Sequence, residues 1–291
     1  MYKLESLILD DSVRQSSGEK FATLPTCITH YKVEGEGNEW AVLVHGYATP
    51  LFIYDKIAES LVNNGYKVLR YDLPGRGLSE RVDKTYNHDL FATNLEELVN
   101  YVIGSDSFYL VGTSMGGAIV TAYTARHPER VKKLVLLAPA GMVFNAPFYM
   151  KLSNIKGIGD LIFGLIGVKV LTKNNASEMI YSGEEVKNAY TEQFAYYAQY
   201  KGLGKATLSS LRNVILRYDI STENYRKVAL SGIPVLTIWG TDDKTMPYYQ
   251  AKTMQEILPE MELITYEKSG HIFLYDEGER TSKDMLEFLK K

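Results

Sequence analysis

Short runs of β-branched, aromatic and leucine side chains alternate along this chain with stretches whose apolar positions recur every three to four residues. The first kind predicts strands, the second helices. Strands are predicted at 28–33, 40–44, 67–71, 108–111, 133–137, 234–239 and 263–266. Helices are predicted at 54–63, ending before Gly65, and at 115–126. Thr93 with Glu96 has the spacing of a capping box and predicts a further helix start, running to about Val102. The run Phe108-Tyr109-Leu110-Val111 has no polar alternation, as expected of a parallel strand covered on both faces. Alternating strands and helices of this kind predict an α/β fold with a mostly parallel sheet.

From about Gly141 to Val228 the alternation stops. Helical spacing and many tyrosines continue there, without a convincing strand. An insertion between two parallel strands leaves the sheet at its carboxyl edge, where ligands bind in such folds. A helical lid over the site is therefore expected, giving a core of residues 1–141 and 229–291 and a cap of 142–228.

The chain has 291 residues, 45% hydrophobic and 23% charged, enough apolar side chain for a sizeable core. A net charge of −3 without long runs of either sign speaks against an electrostatically driven binder of nucleic acid or of an anionic membrane. One cysteine, Cys27, allows neither an internal disulfide nor a cysteine metal site, and it fits a cytoplasmic location. The opening MYKLESLILDD lacks the pattern of a secretory signal. The longest apolar stretch, 161–168, is far short of the roughly 20 residues of a membrane-spanning helix.

The chemistry concentrates at residues 108–120, FYLVGTSMGGAIV, where the strand enters Gly112-Thr113-Ser114-Met115-Gly116 and a helix follows at once. This is G-x-S-x-G in the strand-turn-helix context it requires. So sharp a turn holds Ser114 in a strained conformation and leaves no room for side chains at 112 and 116. The helix start aims the Met115 N–H and the positive end of the helix dipole at the same space, as half of an oxyanion hole.

On these residues the chain resembles the α/β-hydrolases over essentially its full length, apart from a generic cap. The resemblance implies a mostly parallel eight-stranded sheet and the order nucleophile, acid, histidine. Of five histidines, His30 lies in a strand, His45 in an early His-Gly pair, His88 in a polar loop and His127 at a helix end. His271, in Lys268-Ser269-Gly270-His271 after the last strand, remains as the general base. Asp242 and Asp243, in WGTDDKTMP, both have the reach for the acid, and the family's spacing between Gly240 and Pro247 maps it onto Asp243. By the same resemblance the Tyr47 N–H, after Val44-His45-Gly46, pairs with that of Met115, and His45 itself reads as structural. Asp72-Leu73-Pro74-Gly75-Arg76-Gly77-Leu78-Ser79 resembles the family's D-x-x-G-x-G-x-S turn and reads as loop architecture, not as a dinucleotide fingerprint.

A serine at the elbow implies acyl transfer, and with water as acceptor the chain reads as a serine carboxylic-ester hydrolase acting on a small to medium ester, without cofactor or metal. A carbon–carbon bond hydrolase of ring-fission products is the alternative, although those enzymes carry asparagine and tryptophan where this chain has Thr113 and Ile272. A ligand-binding member without turnover is the third reading. Phe144, Phe148 and Phe163 are expected to wall the acyl pocket, among Tyr149, Met150, Leu161, Ile162 and Leu165, which mostly pack cap helices together. Tyr190, Tyr196, Tyr197 and Tyr200 add amphipathic rings to the cap. Gly157, Gly159, Gly164 and Gly167 predict a mobile cap segment gating entry. Homo-oligomerisation is left open.

Overall fold

The computed structural model describes residues 3–291, Tyr149 without its side chain; Met1 and Tyr2 of the opening stretch lie outside the described residues. Eight strands form one sheet: β1 Lys20–Thr23, β2 Ile28–Glu34, β3 Glu39–Val44, β4 Tyr66–Tyr71, β5 Phe108–Thr113, β6 Val131–Leu137, β7 Val235–Gly240 and β8 Glu262–Tyr266. Their order across the sheet is β1-β2-β4-β3-β5-β6-β7-β8. β1 and β2 are antiparallel to their neighbours and all pairs from β4 to β8 are parallel. The seven sequence-read strands are all present, within a few residues at their ends. β1, absent from that reading, is a four-residue edge strand with little apolar signal.

The burial of the strands explains their sequences. All six residues of β7 are buried and the last four of β3, β5 and β6 are too, because helices cover both faces. The helices fall into two packed groups. Asp55–Asn63 lies against Gly278–Lys290; His88–Val102, Met115–Thr124, Tyr218–Ser231 and Tyr249–Ile257 pack in a row, each on the next.

The helix of residues 88–102 begins five positions before Thr93. Asn87 caps it, its side chain accepting from the Leu90 N–H at 2.9 Å, so Thr93 and Glu96 lie inside the helix and form no capping box. The helix after Ser114 ends at Thr124, two residues short of the expected end.

Parallel register brings the functional loops together. Val44 pairs with Gly112, Thr113 with Leu137, Leu137 with Ile238, and Gly240 with Tyr266. The carboxyl ends of β3, β5, β6, β7 and β8 thus share one edge. Because the chain passes from β3 outward to β4 and returns across β3 to β5, that edge also holds the topological switch, where such sheets bind ligands.

Between β6 and β7 the described residues contain helices and no strand. Phe148–Ser153, Ile158–Ile162, Val168–Asn174, Glu184–Ala198 and Leu203–Ser210 are α-helices; Phe163–Gly167 and Leu211–Ile215 are π-helical turns. The helix Tyr218–Ser231, inside which the expected boundary at 228/229 falls, packs back on the core helix Met115–Thr124. The N-terminal segment ties to this insertion, with the N–H groups of Glu5 and Ser6 donating to the Ala198 and Gln199 carbonyls at 2.9 and 2.8 Å.

A close backbone approach lies beside Ser114, where a Cβ on Gly116 would stand 2.2 Å from the Val44 carbonyl oxygen at the end of β3. Gly164, in a π-helical turn of the insertion, has nothing within 4 Å of the same added atom. Gly116→Ala should therefore lower the unfolding free energy by about 3 kcal/mol, the upper end for overpacking a core, read as a lower denaturant midpoint at unchanged m value. Gly164→Ala should leave that midpoint unchanged or raise it slightly. Equal effects of the two substitutions would contradict the packing described.

Candidate active site

Ser114 stands between β5 and the helix Met115–Thr124 with φ +52° and ψ −122°, a conformation few non-glycine residues adopt. The surroundings hold it there. Its N–H donates to the Leu137 carbonyl at 2.9 Å, and its carbonyl accepts from Ala140 at 2.8 Å and Gly117 at 2.9 Å. Thr113 Oγ1 donates to the same Leu137 carbonyl at 3.1 Å, so both residues of the turn are tied to the end of β6.

The two loops after β7 and β8 are bonded to each other. Asp242 N donates to the Ser269 carbonyl at 3.0 Å and Lys268 N to Thr241 Oγ1 at 2.8 Å. Asp243 is buried, with Oδ2 2.7 Å from His271 Nδ1 and Oδ1 accepting from Met246 N at 2.6 Å. Trp239 Nε1 donates to the Met246 carbonyl at 2.7 Å and pins the same turn. Asp242 is exposed, its carboxylate accepting from its neighbour Thr241, so the geometry separates the two aspartates. With Nδ1 facing Asp243, Nε2 is the ring nitrogen left for a substrate or a nucleophile.

The other histidines are engaged elsewhere. His30 Nδ1 lies 2.6 Å from Asp72, His88 Nε2 2.9 Å from Ser221 Oγ, and His127 Nε2 3.3 Å from Glu96. His45 bonds through Nδ1 to the Gly46 carbonyl and through Nε2 to the Leu73 N–H, both at 2.9 Å. That pattern needs the neutral ring, and burial pushes its pKa down to about 4, as a structural role requires. Burial also pushes the Cys27 thiol up to about 11, which leaves it no thiolate character at neutral pH.

The Asp72–Ser79 turn is built as a frame. Asp72 accepts from the Leu51 and Leu78 N–H groups at 2.9 Å each; burial raises its pKa, but the pairing with His30 wins and holds it at about 2. Arg76, wholly buried, donates to the Tyr47 carbonyl at 2.9 Å and to Ser210 Oγ of the insertion at 2.8 Å, with the rings of Tyr47, Tyr86 and Phe91 within 6.0 Å of its guanidinium. It thereby fixes the backbone at Tyr47 to the insertion.

Ser114 and His271 open together on a cavity of about 770 Å³. Gly46, Tyr47, Ala48 and Thr49 line it from the β3 loop, and Met150, Ile162, Phe163, Ile166, Val170 and Leu171 from the insertion. Of the three phenylalanines expected on its wall, Phe163 is there, and Tyr190 of the cap tyrosines lines it too. Phe144 is buried against Tyr218, ring centroids 5.8 Å apart, and Phe148 is 77% exposed. Apolar composition marks such residues for burial or binding but does not say which way each one faces. Met115 has a buried side chain and follows Ser114 at the helix start, where N–H groups lack partners within the helix.

Two carboxylates that carry no local sequence signal join the insertion to the loops. Glu178 Oε2 accepts from the backbone N–H of Lys244 at 2.8 Å and of His271 at 3.2 Å, while Oε1 accepts from Thr245 Oγ1. Reciprocally, Asp276, just past His271, accepts from the N–H groups of Ile180, Tyr181 and Ser182 at 2.6, 2.9 and 2.7 Å. Among the described residues no group of three or more His, Cys, Asp or Glu side chains is placed to hold a metal ion, and no helix is long and apolar enough to cross a membrane.

Burial opposes a charged His271, but the Asp243 carboxylate and the field of Glu178 outweigh it and hold the imidazole above its ordinary value of 6.5. An NMR titration of the His271 ring should accordingly have its midpoint above 6.5. Glu178→Gln keeps an acceptor for the N–H groups and removes the charge, so the midpoint should fall. A midpoint unmoved by this substitution would remove Glu178 from the electrostatics of the site.

A family model described as "Serine aminopeptidase, S33" matches residues 37–278. A 2-hydroxy-6-oxononadienedioate/2-hydroxy-6-oxononatrienedioate hydrolase of Burkholderia vietnamiensis (strain G4 / LMG 22486) is 28% identical, the match covering 90% of this chain and 91% of that protein. The non-heme chloroperoxidase CPO-A1 of Kitasatospora aureofaciens is also 28% identical, over 92% of this chain and all of the relative. The enol-lactonase from Burkholderia xenovorans LB400 superposes with a TM-score of 0.79 at 19% identity, over 94% of this chain and 100% of its own. The chain belongs to the family of that model and has the α/β-hydrolase fold.

Proposed function

Taking the chain as an α/β-hydrolase, we propose that it is a carboxylic-ester hydrolase working through an acyl intermediate on Ser114. The observation that carries this reading is the 2.7 Å contact of Asp243 with His271 at the wall of a largely apolar cavity that also exposes Ser114. Ser114 Oγ attacks the ester carbonyl and His271 Nε2 takes its proton. Asp243, buried and bonded to Nδ1, holds the ring tautomer and stabilises the imidazolium. The negative oxygen of the tetrahedral intermediate is met by the N–H groups of Tyr47 and Met115, a single such donor being worth about 2.7–4 kcal/mol in other hydrolases. His271 then gives its proton to the leaving alcohol. Water, deprotonated by the same ring, attacks the acyl-serine and frees the acid and Ser114.

In this reading residues from 142 to the end of the π-helical turn Leu211–Ile215 act as the cap, and the helix Tyr218–Ser231 belongs with the core on which it packs. Ile162, Phe163, Ile166 and Leu171 face the acyl chain, and the entrance opens by movement of the stretch 157–171. A reducing compartment such as the cytoplasm suits a chain whose one cysteine is buried and free.

A second reading, hydrolysis of a carbon–carbon bond in a ring-fission dienoate, is favoured by the relative from Burkholderia vietnamiensis. Thr113 and Ile272 favour the ester, since the carbon–carbon hydrolases carry asparagine and tryptophan at these places.

A series of p-nitrophenyl esters from acetate to palmitate, assayed beside Ser114→Ala and Asp243→Asn, tests the proposal. Turnover is expected in the wild type, with kcat falling by about 10,000-fold or more in each variant. The chain-length optimum would size the acyl side of the cavity. Turnover of a dienoate but of no ester would transfer the assignment to the second reading, and ligand binding without turnover of either would make the chain a binding protein.

A further inference from the structure

We propose that the outer face of the insertion between β6 and β7 docks on the surface of an anionic lipid bilayer. Phe148, Leu161 and Leu165 are 77%, 64% and 73% exposed, and Ile158 is exposed beside them. Ile158, Leu161 and Leu165 stand three and four positions apart, which puts them on one side of their helical stretch. An apolar face left uncovered on successive turns marks a place where another surface docks.

Charge decides what covers it. The stretch 142–177 carries Lys151, Lys156, Lys169 and Lys173, all exposed, and a single acid, Asp160. That acid is committed to Arg212, whose Nη1 and Nη2 donate to it at 3.1 and 3.0 Å. A chain of net charge −3 thus has four exposed lysines and one committed acid in the segment that bears its apolar face. A second copy seated on this face by two-fold symmetry would set the same four lysines against each other. A bilayer containing anionic lipid accepts both parts of the pattern, leucines at the level of the acyl chains and ammonium groups among the phosphates.

Continuity with the cavity gives the docking a use. Ile166 and Val170 are each about half exposed and also line the cavity below. An apolar ester leaving the bilayer beside Leu165 reaches the cavity without crossing water. This last step rests on the ester reading; the docking does not.

Co-sedimentation of the full chain with vesicles of phosphatidylcholine, and of phosphatidylcholine with an equal share of phosphatidylglycerol, tests the proposal. The wild type should bind the mixed vesicles more tightly, and Leu161→Asp/Leu165→Asp should weaken that binding by about tenfold or more. Lys169→Glu/Lys173→Glu should abolish the preference for the anionic vesicles. Leu230→Asp, on the core-packed helix Tyr218–Ser231 and 88% exposed in the wild type, should change nothing. Neither Leu161 nor Leu165 lines the cavity, so hydrolysis of p-nitrophenyl acetate should survive in the double variant and report an intact fold. If the wild type hydrolyses no ester, the ester reading fails while vesicle binding still decides the docking, with the unfolding midpoint as the check on the fold. Vesicle binding that is absent, or indifferent to both pairs of substitutions, would overturn the proposal. So would light scattering that shows a wild-type dimer dispersed by Leu161→Asp/Leu165→Asp, since the face would then belong to a second copy.

Discussion

The turn at Ser114 is the constraint around which the rest is arranged. A non-glycine residue at φ +52° is disfavoured by about 1–3 kcal/mol and persists only where its neighbours over-determine it. Here they are the Leu137 carbonyl on one side and the N–H groups of Gly117 and Ala140 on the other. The helix that follows presses against the end of β3 so closely that position 116 has room only for hydrogen. The same contact sets the distance between the β3 loop, which carries Tyr47, and the serine. Strain at one residue and close approach at another are thus two sides of a single packing requirement.

Around that point, position is held by buried polar groups more than by apolar packing. Asp72 collects His30, two backbone N–H groups and its neighbouring turn. Arg76 has no carboxylate among its hydrogen-bond partners and is satisfied by carbonyls, a hydroxyl and three aromatic faces. Such groups are costly to bury and are tolerated when every donor is used. In return they fix backbone segments that share no secondary structure, namely the loops after β3 and β4 and the insertion.

What the sequence disclosed follows from how local each signal is. Central strands were legible because burial on both faces makes them continuously apolar, and the serine because its turn writes glycines on either side. Asp243 could be told from Asp242 only through a family spacing, and the fold supplies the physical difference: one carboxylate points into the protein at His271 and the other to solvent. The start of the helix His88–Val102 was misplaced because its cap, Asn87, lies in a polar stretch and the helix's first residue is buried against Ser221, 133 positions away. Composition alone puts Phe144 and Phe148 on a pocket wall, whereas the fold buries the first against Tyr218 and exposes the second. Glu178 left no trace, since its partners stand 66 and 93 positions further on.

The insertion itself is divided by how it is anchored. Residues 178–182 exchange five backbone hydrogen bonds with the loops after β7 and β8 through Glu178 and Asp276. Nearby, Tyr190 reaches Thr49 at 3.2 Å and Tyr47 reaches the Thr207 carbonyl at 2.9 Å. The stretch 157–171 has no such ties to the core loops: its one acid bonds to Arg212 within the insertion, and its π-helical turn lets the helix change the face it presents. The part that carries the exposed leucines and much of the cavity wall is thus bonded within the insertion, while residues 178–182 are bonded to the loops around His271. The strain at Ser114 is maintained by the Leu137 carbonyl and the N–H groups of Gly117 and Ala140, all outside the insertion, and His271 is held by Asp243 and Glu178, so neither depends on the stretch 157–171.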